Sequence, residues 1–223
     1  MSTSTARRGR PAKGESRLSR EAIVQATLRV IDAEGVAAVS MRAVGRVLGV
    51  DAKSLYNHVE GKDGLLDAVA EHLLGTITLP EPTGDLRADL RAIAHAFRER
   101  ALAHPEAASL VLTRQLGSFE GLVPIEAVLT VLRAAGCPAE EAVHLLRALV
   151  ATLIGSLLRE VDAVPTYGTT DVAGIAQRQA TLEGSGLPSV ADAAPHLARF
   201  DAAAEYEYAV GLALDAVVAR LGR

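Results

Sequence analysis

SMRAVGRVLGVDAKSLYNHVEGK, residues 40–62, sets a short helix, a turn and a second short helix in succession without spare residues. Gly49 falls where the first helix must stop, because a left-handed residue just past a helix end costs glycine little. Asp51 follows as a cap whose carboxylate can take the orphan N–H groups of the next turn, so a tight connection of about three to four residues becomes feasible. Val44, Val47, Leu48, Val50, Leu55 and Val59 are expected to fill the wedge between the two helices. That leaves Lys53, Ser54, Tyr56, Asn57 and His58 pointing outward, the arrangement of a helix-turn-helix DNA reader. Two short helices around a glycine also occur in helical proteins that never meet DNA, so the flanking sequence has to decide.

It favours the DNA reader. Upstream, Ser19 to Glu34 reads as a bracing amphipathic helix, capped by Ser19, striped by Ile23, Ala26, Thr27, Val30 and Ile31, and ended by Gly35. Downstream, Leu65, Leu66, Val69, Leu73 and Ile77 recur at helical spacing from Lys62 onward. Charge changes sign at the same place. Residues 1–62 hold 11 Lys+Arg against 6 Asp+Glu, a net of +5, and subtraction from the totals of 23 and 27 leaves 12 against 21, or −9, for residues 63–223. A basic head is drawn to phosphate and an acidic body is repelled by it, which orients the molecule.

The composition indicates an all-α protein: helix formers abound and aromatics make up 3% of the 223 residues. Three segments are expected: a disordered basic arm at 1–18, a helix-turn-helix DNA-binding domain at 19–79, and a helical ligand-binding and dimerisation domain at 80–223. The single Cys137, between Gly136 and Pro138, reads as a small apolar filler. No export signal is visible, and the longest charge-free apolar run, Ala148 to Leu158, is shorter than the roughly 20 residues of a membrane span, so a cytoplasmic protein without a membrane partner is expected. Within the arm, Arg8-Gly9-Arg10-Pro11 resembles an AT-hook core, whose arginines lie along a narrow A·T minor groove. A solubilising basic tail is the other reading of those four residues. In either case Arg7, Arg8 and Arg10, with Lys13 and Arg17, add salt-sensitive affinity as accessory DNA contacts.

Leu18 to Leu74 resembles the N-terminal domain of TetR-type transcriptional regulators, on Ser40-Met41-Arg42, Leu48-Gly49-Val50, Leu55-Tyr56-Asn57-His58-Val59, Lys62 and Leu65-Leu66-Asp67. The resemblance extends more faintly to the tetracycline-repressor-like subgroup, through Phe97, Thr113-Arg114 and the helix around Ala142 to Gly155. What it implies is double-stranded DNA bound by Ser40, Arg42, Ala52, Lys53, Tyr56, Asn57, His58 and Lys62. Arg42 would address a guanine edge, Ala52 and Lys53 would meet bases, and Tyr56, His58 and Lys62 would hold backbone or thymine methyls. Tyr56 and His58 could instead pack against the fourth helix. Ala52-Lys53 replaces the archetype's polar-proline pair and Asn57 its tryptophan, so the operator should differ. Repression rather than activation is the family's habit.

In the body, helices are expected from Asp85 to Ala103, Pro105 to Arg114, Glu120 to Ala135, Ala139 to Val161 and Asp201 to Leu221. Val143 to Val161 and Ala209 to Leu221 are apolar around most of their circumference. One face can pack inside the monomer and the other needs a second copy, with Gly155, Ser156, Ala209, Gly211 and Ala213 allowing close approach in a twofold homodimer. The family resemblance implies a small-molecule effector held by Ile93, Phe97, Leu110, Thr113, Arg114, Val143, Arg147 and Ala151. Arg147, a charge in an apolar helix, either pairs with an acid or meets an anionic or carbonyl-bearing ligand; His144 is expected to be an ordinary satisfied or exposed histidine. In the same register Ala151 and Thr78 stand where the archetype has metal-binding histidines, so the effector is expected to be metal-free, and no cofactor is expected. Residues 165–195, rich in Gly, Thr, Ser and Pro, read as a mobile flap with one possible helix from Asp171 to Glu183. Six scattered histidines and the absence of HExxH, GxSxG or P-loop patterns argue against an enzyme. A structural DNA binder that senses nothing is the rival function.

Overall fold

The computed structural model describes residues 18–113, 119–161 and 168–222. They are all-α, as the composition requires, with an isolated bridge between Thr169 and Arg199 as the only β-type pairing among them. Arg7, Arg8, Arg10 and Arg114 lie outside the described residues.

Helix α1, Arg20–Glu34, starts where the Ser19 hydroxyl accepts the Ala22 N–H at 3.1 Å and ends on Gly35 at φ 79°. Such caps each contribute about 1 kcal/mol. Ile23, Ala26, Thr27 and Ile31 are fully buried, and the Thr27 hydroxyl donates to the Ile23 carbonyl, so its polarity is satisfied inside the core. Helix α2, Met41–Leu48, packs on α1, helix α3, Ala52–Leu55, packs on α2, and α4, Gly61–Gly75, closes the head against α1. Arg20 bridges to the nearly buried Glu71 at 2.8 Å and ties α1 to α4.

The body comprises α5, Leu86–Ala103; α6, Pro105–Thr113; α7, Val123–Ala134, preceded by a 3₁₀ turn at Glu120–Leu122; α8, Ala139–Val161; and α12, Ala202–Arg220. Between α8 and α12, in the stretch expected to be a flap, lie three helices: α9, Val172–Glu183; α10, Pro188–Asp192; and α11, Ala194–Leu197. Prolines at 188 and 195 occupy first-turn positions, where a missing N–H costs nothing, so these residues start helices instead of marking a loop. Cys137 is fully buried beside the Gly136 turn, as a filler should be.

Two apolar clusters form. The first gathers α1–α4 and also takes in Ala107 and Leu110 of α6; the second gathers α5, α7, α8 and α12 with Ala108 of α6. Leu110 therefore packs in the head core and is not among the residues lining the body cavity, because α6 lies across the seam and turns Ala107 and Leu110 to one cluster and Ala108, about 100° round, to the other. In the second cluster Arg98 of α5 reaches Glu160 of α8, Nε to Oε2 at 2.9 Å, and lies 4.7 Å over the ring of the fully buried Tyr206 of α12. Burial pushes the Tyr206 phenol well above its ordinary value.

Asp89, in the first turn of α5, folds the preceding loop onto its own helix. Its carboxylate accepts the Thr83 N–H at 2.8 Å, the Thr83 hydroxyl at 2.7 Å and the Gly84 N–H at 3.0 Å. The Thr83 bonds, foremost the one from its backbone, hold this carboxyl below its ordinary value. A depressed acid contributes stability that is fully present above the unfolded value, about 3.9, and is lost as pH falls through the folded one. Asp89→Asn is expected to lower the melting temperature at pH 7 and to weaken its fall between about pH 4 and pH 2, read by thermal melts across that range.

Gly45 sits in the middle of α2, where a Cβ would lie 2.9 Å from the Val50 carbonyl oxygen and 3.4 Å from the Ala52 Cα. Backbone cannot move aside as a side chain can. Gly45→Ala is expected to cost ~1–3 kcal/mol of head stability by overpacking, measured by chemical denaturation.

Candidate nucleic-acid interface and ligand cavity

The turn between α2 and α3 is built from the residues its sequence announces. The Ser40 hydroxyl accepts the Ala43 N–H at 3.1 Å, Gly49 is left-handed at φ 70°, ψ 28°, and the Asp51 carboxylate accepts the Lys53 N–H at 2.7 Å. Val44, Leu55 and Val59 are buried and Leu48 and Val50 pack partly against them. Val47 does not join them: it is 43% exposed, on the side of α2 turned away from α3. The absence of a side chain at Gly45 lets the Val50 backbone close the wedge instead. Only the approach of backbone across the turn reveals that requirement.

This packing leaves one face of the head outward. Ser40, Arg42, Lys53, Asn57, His58 and Lys62 are turned to the surface, Ala52 is half-buried, and Tyr56 is 60% exposed, so neither Tyr56 nor His58 is packed beneath α4. Arg46, which the motif does not single out, is exposed on the same short helix as Arg42. The Lys62 ammonium donates to the Ala37 carbonyl at 3.2 Å, holding it beside the turn that precedes α2. Helix α3 has only four residues, and the Leu55 carbonyl then accepts the N–H groups of both His58 and Val59, which bends the chain and presents Tyr56–His58 as the tip.

Behind the head, α4–α8 and α12 enclose a cavity of roughly 930 Å³ including its open mouth. Its wall is almost wholly apolar, as the walls of small-molecule sites predominantly are. Ile93 and Phe97 line it, as expected. Val143, Arg147 and Ala151 do not: α8 lines the cavity with Leu146, Leu149, Val150, Thr152, Leu153 and Ile154, a face turned round the helix from the expected one. Arg147 and Ala151 are exposed on the opposite side and Val143 is half-buried. Arg147 forms no ion pair among the described residues, and His144 is exposed. Thr113 ends α6, but its side chain, like the whole of Arg114, lies outside the described residues.

The wall includes Pro124, Ile125 and Val128 of α7, which periodicity alone could not assign to it. Among the described lining residues Thr152 has the only polar side chain, and its hydroxyl donates to the Ala148 carbonyl at 3.0 Å, leaving only an acceptor free. Among the described residues no three His, Cys, Asp or Glu side chains gather as a metal site would need.

Beyond the cavity, α8 and α12 pack along one another and each keeps an outward face. Ala148, Ala151 and Gly155 are exposed on α8, and Tyr208, Leu212 and Ala216 on α12. Ala213, expected on that face, lines the cavity instead. Helix α8 is long and apolar enough by composition to cross a bilayer.

Known proteins share both halves of this arrangement. Residues 23–69 match the family described as "Bacterial regulatory proteins, tetR family" and residues 79–220 match "Tetracyclin repressor-like, C-terminal domain". An HTH-type transcriptional regulator of Saccharopolyspora erythraea is 32% identical over 198 residues, covering 85% of this chain and 82% of that one. The tetracycline repressor protein class A from transposon 1721, of Escherichia coli, is 30% identical over 165 residues, covering 71% of this chain and 76% of that one. The crystal structure of the Streptomyces coelicolor TetR family protein ActR in complex with actinorhodin superposes with a TM-score of 0.81 at 25% identity, covering 92% of this chain and 97% of that one. The chain belongs to the TetR family of transcriptional regulators and carries a tetracycline-repressor-like C-terminal domain.

Proposed function

We propose that the chain is a ligand-responsive repressor that acts in the cytoplasm, binds a pseudo-palindromic operator as a homodimer and releases it when a small molecule fills the cavity. The observation that carries this reading is that Leu74 of α4 lines the cavity while Leu73 of the same turn is buried in the head core. A ligand that pushes on α4 therefore moves the head, which a binder that senses nothing would have no use for. The wall calls for an effector whose bulk is hydrocarbon or aromatic. The Streptomyces coelicolor protein ActR, of the same fold, has been crystallised in complex with actinorhodin.

In this reading Arg42 addresses a base edge, Ala52 and Lys53 lead the reading helix, and Ser40, Tyr56, Asn57, His58 and Lys62 contact backbone or flanking bases, with Arg7, Arg8 and Arg10 adding accessory contacts. The proposed domains are 19–79 for reading and 80–223 for sensing and dimerisation. One four-residue reading helix supplies too few base contacts alone, and a twofold dimer places two of them about 34–36 Å apart in successive major grooves. The apolar outer faces of α8 and α12 supply the surface for that dimer.

Selection of bound duplexes from a random pool should return inverted repeats; a single unrepeated half-site would refute the dimeric operator. Arg42→Ala is expected to cost ~1–3 kcal/mol and relax base preference at its position. Lys62→Ala should weaken all sequences alike and reduce the salt slope by about 0.9 for each phosphate no longer neutralised, read by binding titrations at several salt concentrations. Leu212→Asp, at a position 55% exposed in one protomer, should leave the fold intact and halve the mass measured by light scattering.

A further inference from the structure

We propose that the cavity takes an uncharged, saturated hydrocarbon-rich ligand and excludes carboxylates and ammonium ions, so that an ionisable molecule enters only in its neutral form. This rests on the cavity being the effector site and specifies the chemistry it selects.

What decides the matter is what the wall offers a polar atom. Its described residues come from α4, α5, α6, α7, α8 and α12 and from the turn before α7, and none of them has an ionisable side chain. The Thr152 hydroxyl is the one polar side-chain group among them, and its hydrogen is on the Ala148 carbonyl, so it can only accept. A carboxylate, which also only accepts, finds no side-chain donor there. An ammonium finds one acceptor and no countercharge. Burying either ion unpaired costs far more than burying its neutral form, so the group changes its protonation or stays out. A hydroxyl is tolerated, because it can donate to Thr152.

The arginines of the neighbouring helices serve other partners or face elsewhere. Arg147 is exposed on the other side of α8, and Arg98, next to Phe97 on α5, is held by Glu160 and stacks on Tyr206. The wall is also aliphatic more than aromatic. Phe97 has the only aromatic ring among the described lining residues, so a planar aromatic has one ring to stack on, while a saturated cage gains dispersion from every leucine, isoleucine and valine it touches.

The test uses rigid cages of one size that differ in a single group: adamantanol, adamantanecarboxylate and adamantylammonium, titrated into the full chain by calorimetry. So compact a cage has no flexible tail that would let its charge stay outside the mouth. At pH 7 the alcohol should bind at least about thirtyfold more tightly than either ion, because little of the acid or amine is neutral there. Affinity for the carboxylate should rise about tenfold for each unit by which pH falls from 8 to 6, as entry of the neutral acid alone requires, while the alcohol changes by less than about threefold. Ala94→Phe and Ala213→Phe, which fill the space from α5 and α12, should each abolish binding of the alcohol, and the second serves should the first not fold. Either ion bound within about thirtyfold of the alcohol at pH 7, or a carboxylate affinity indifferent to pH, overturns the exclusion and leaves the effector-site reading standing. If no cage binds, or if the folded filled variants bind the alcohol as the wild type does, the exclusion falls together with the effector-site reading.

Discussion

Helix α6 is apolar on both sides, and the relation of head to body depends on it. Ala107 and Leu110 are buried among α1 and α4, while Ala108 is buried in the body core. Burying one leucine contributes roughly 1.5–3 kcal/mol, and such packing on both sides holds the helix to two cores at once. His104, just before α6, adds a polar tie, with Nδ1 3.2 Å from an Asp32 carboxylate oxygen of α1. Close-packed interiors resist gradual deformation, so a displacement of α6 or α4 is passed on and not absorbed. The head therefore cannot turn without disturbing a helix that borders the cavity.

The body meets the opposite demand through α8, which must face inward and outward with apolar surface on both sides. Leu157 is fully buried and Leu149 and Leu153 line the cavity, while Ala148, Ala151 and Gly155 face out. A helix with two apolar faces acquires the composition of a membrane span, and here only 17% of its most apolar stretch is buried within the chain. Rotation of this rod is fixed from within: Arg98 binds Glu160 on α8 and stacks on Tyr206 of α12, so three helices are registered by one cation.

The head is legible in the sequence because its determinants are local. Ser40, Gly49 and Asp51 each act within three residues of themselves, and the hydrogen bonds and the left-handed glycine they announce are present. What stays hidden there is tertiary: Gly45 looks like a weakness in a helix until the Val50 carbonyl is placed against it. In the body, helix boundaries are readable but facing is not. Periodicity locates a buried stripe only when the other side is polar, and on α8 it is not, so Val143, Arg147 and Ala151 are as good a candidate wall as Leu146, Leu149 and Leu153. Prolines 188 and 195 look like punctuation in the sequence, yet they stand at helix starts.

Helices α9, α10 and α11 pack mainly on one another, and the chain that enters them at Thr169 returns beside itself at Arg199. The Thr169 N–H donates to Ala198 and the Phe200 N–H to Thr169, fastening the two ends together. Among the described residues, such a clasp makes the enclosed helices an appendage closed on itself at its two joined ends. A foreign peptide grafted into that appendage is expected to leave the register of α8 and α12 in place.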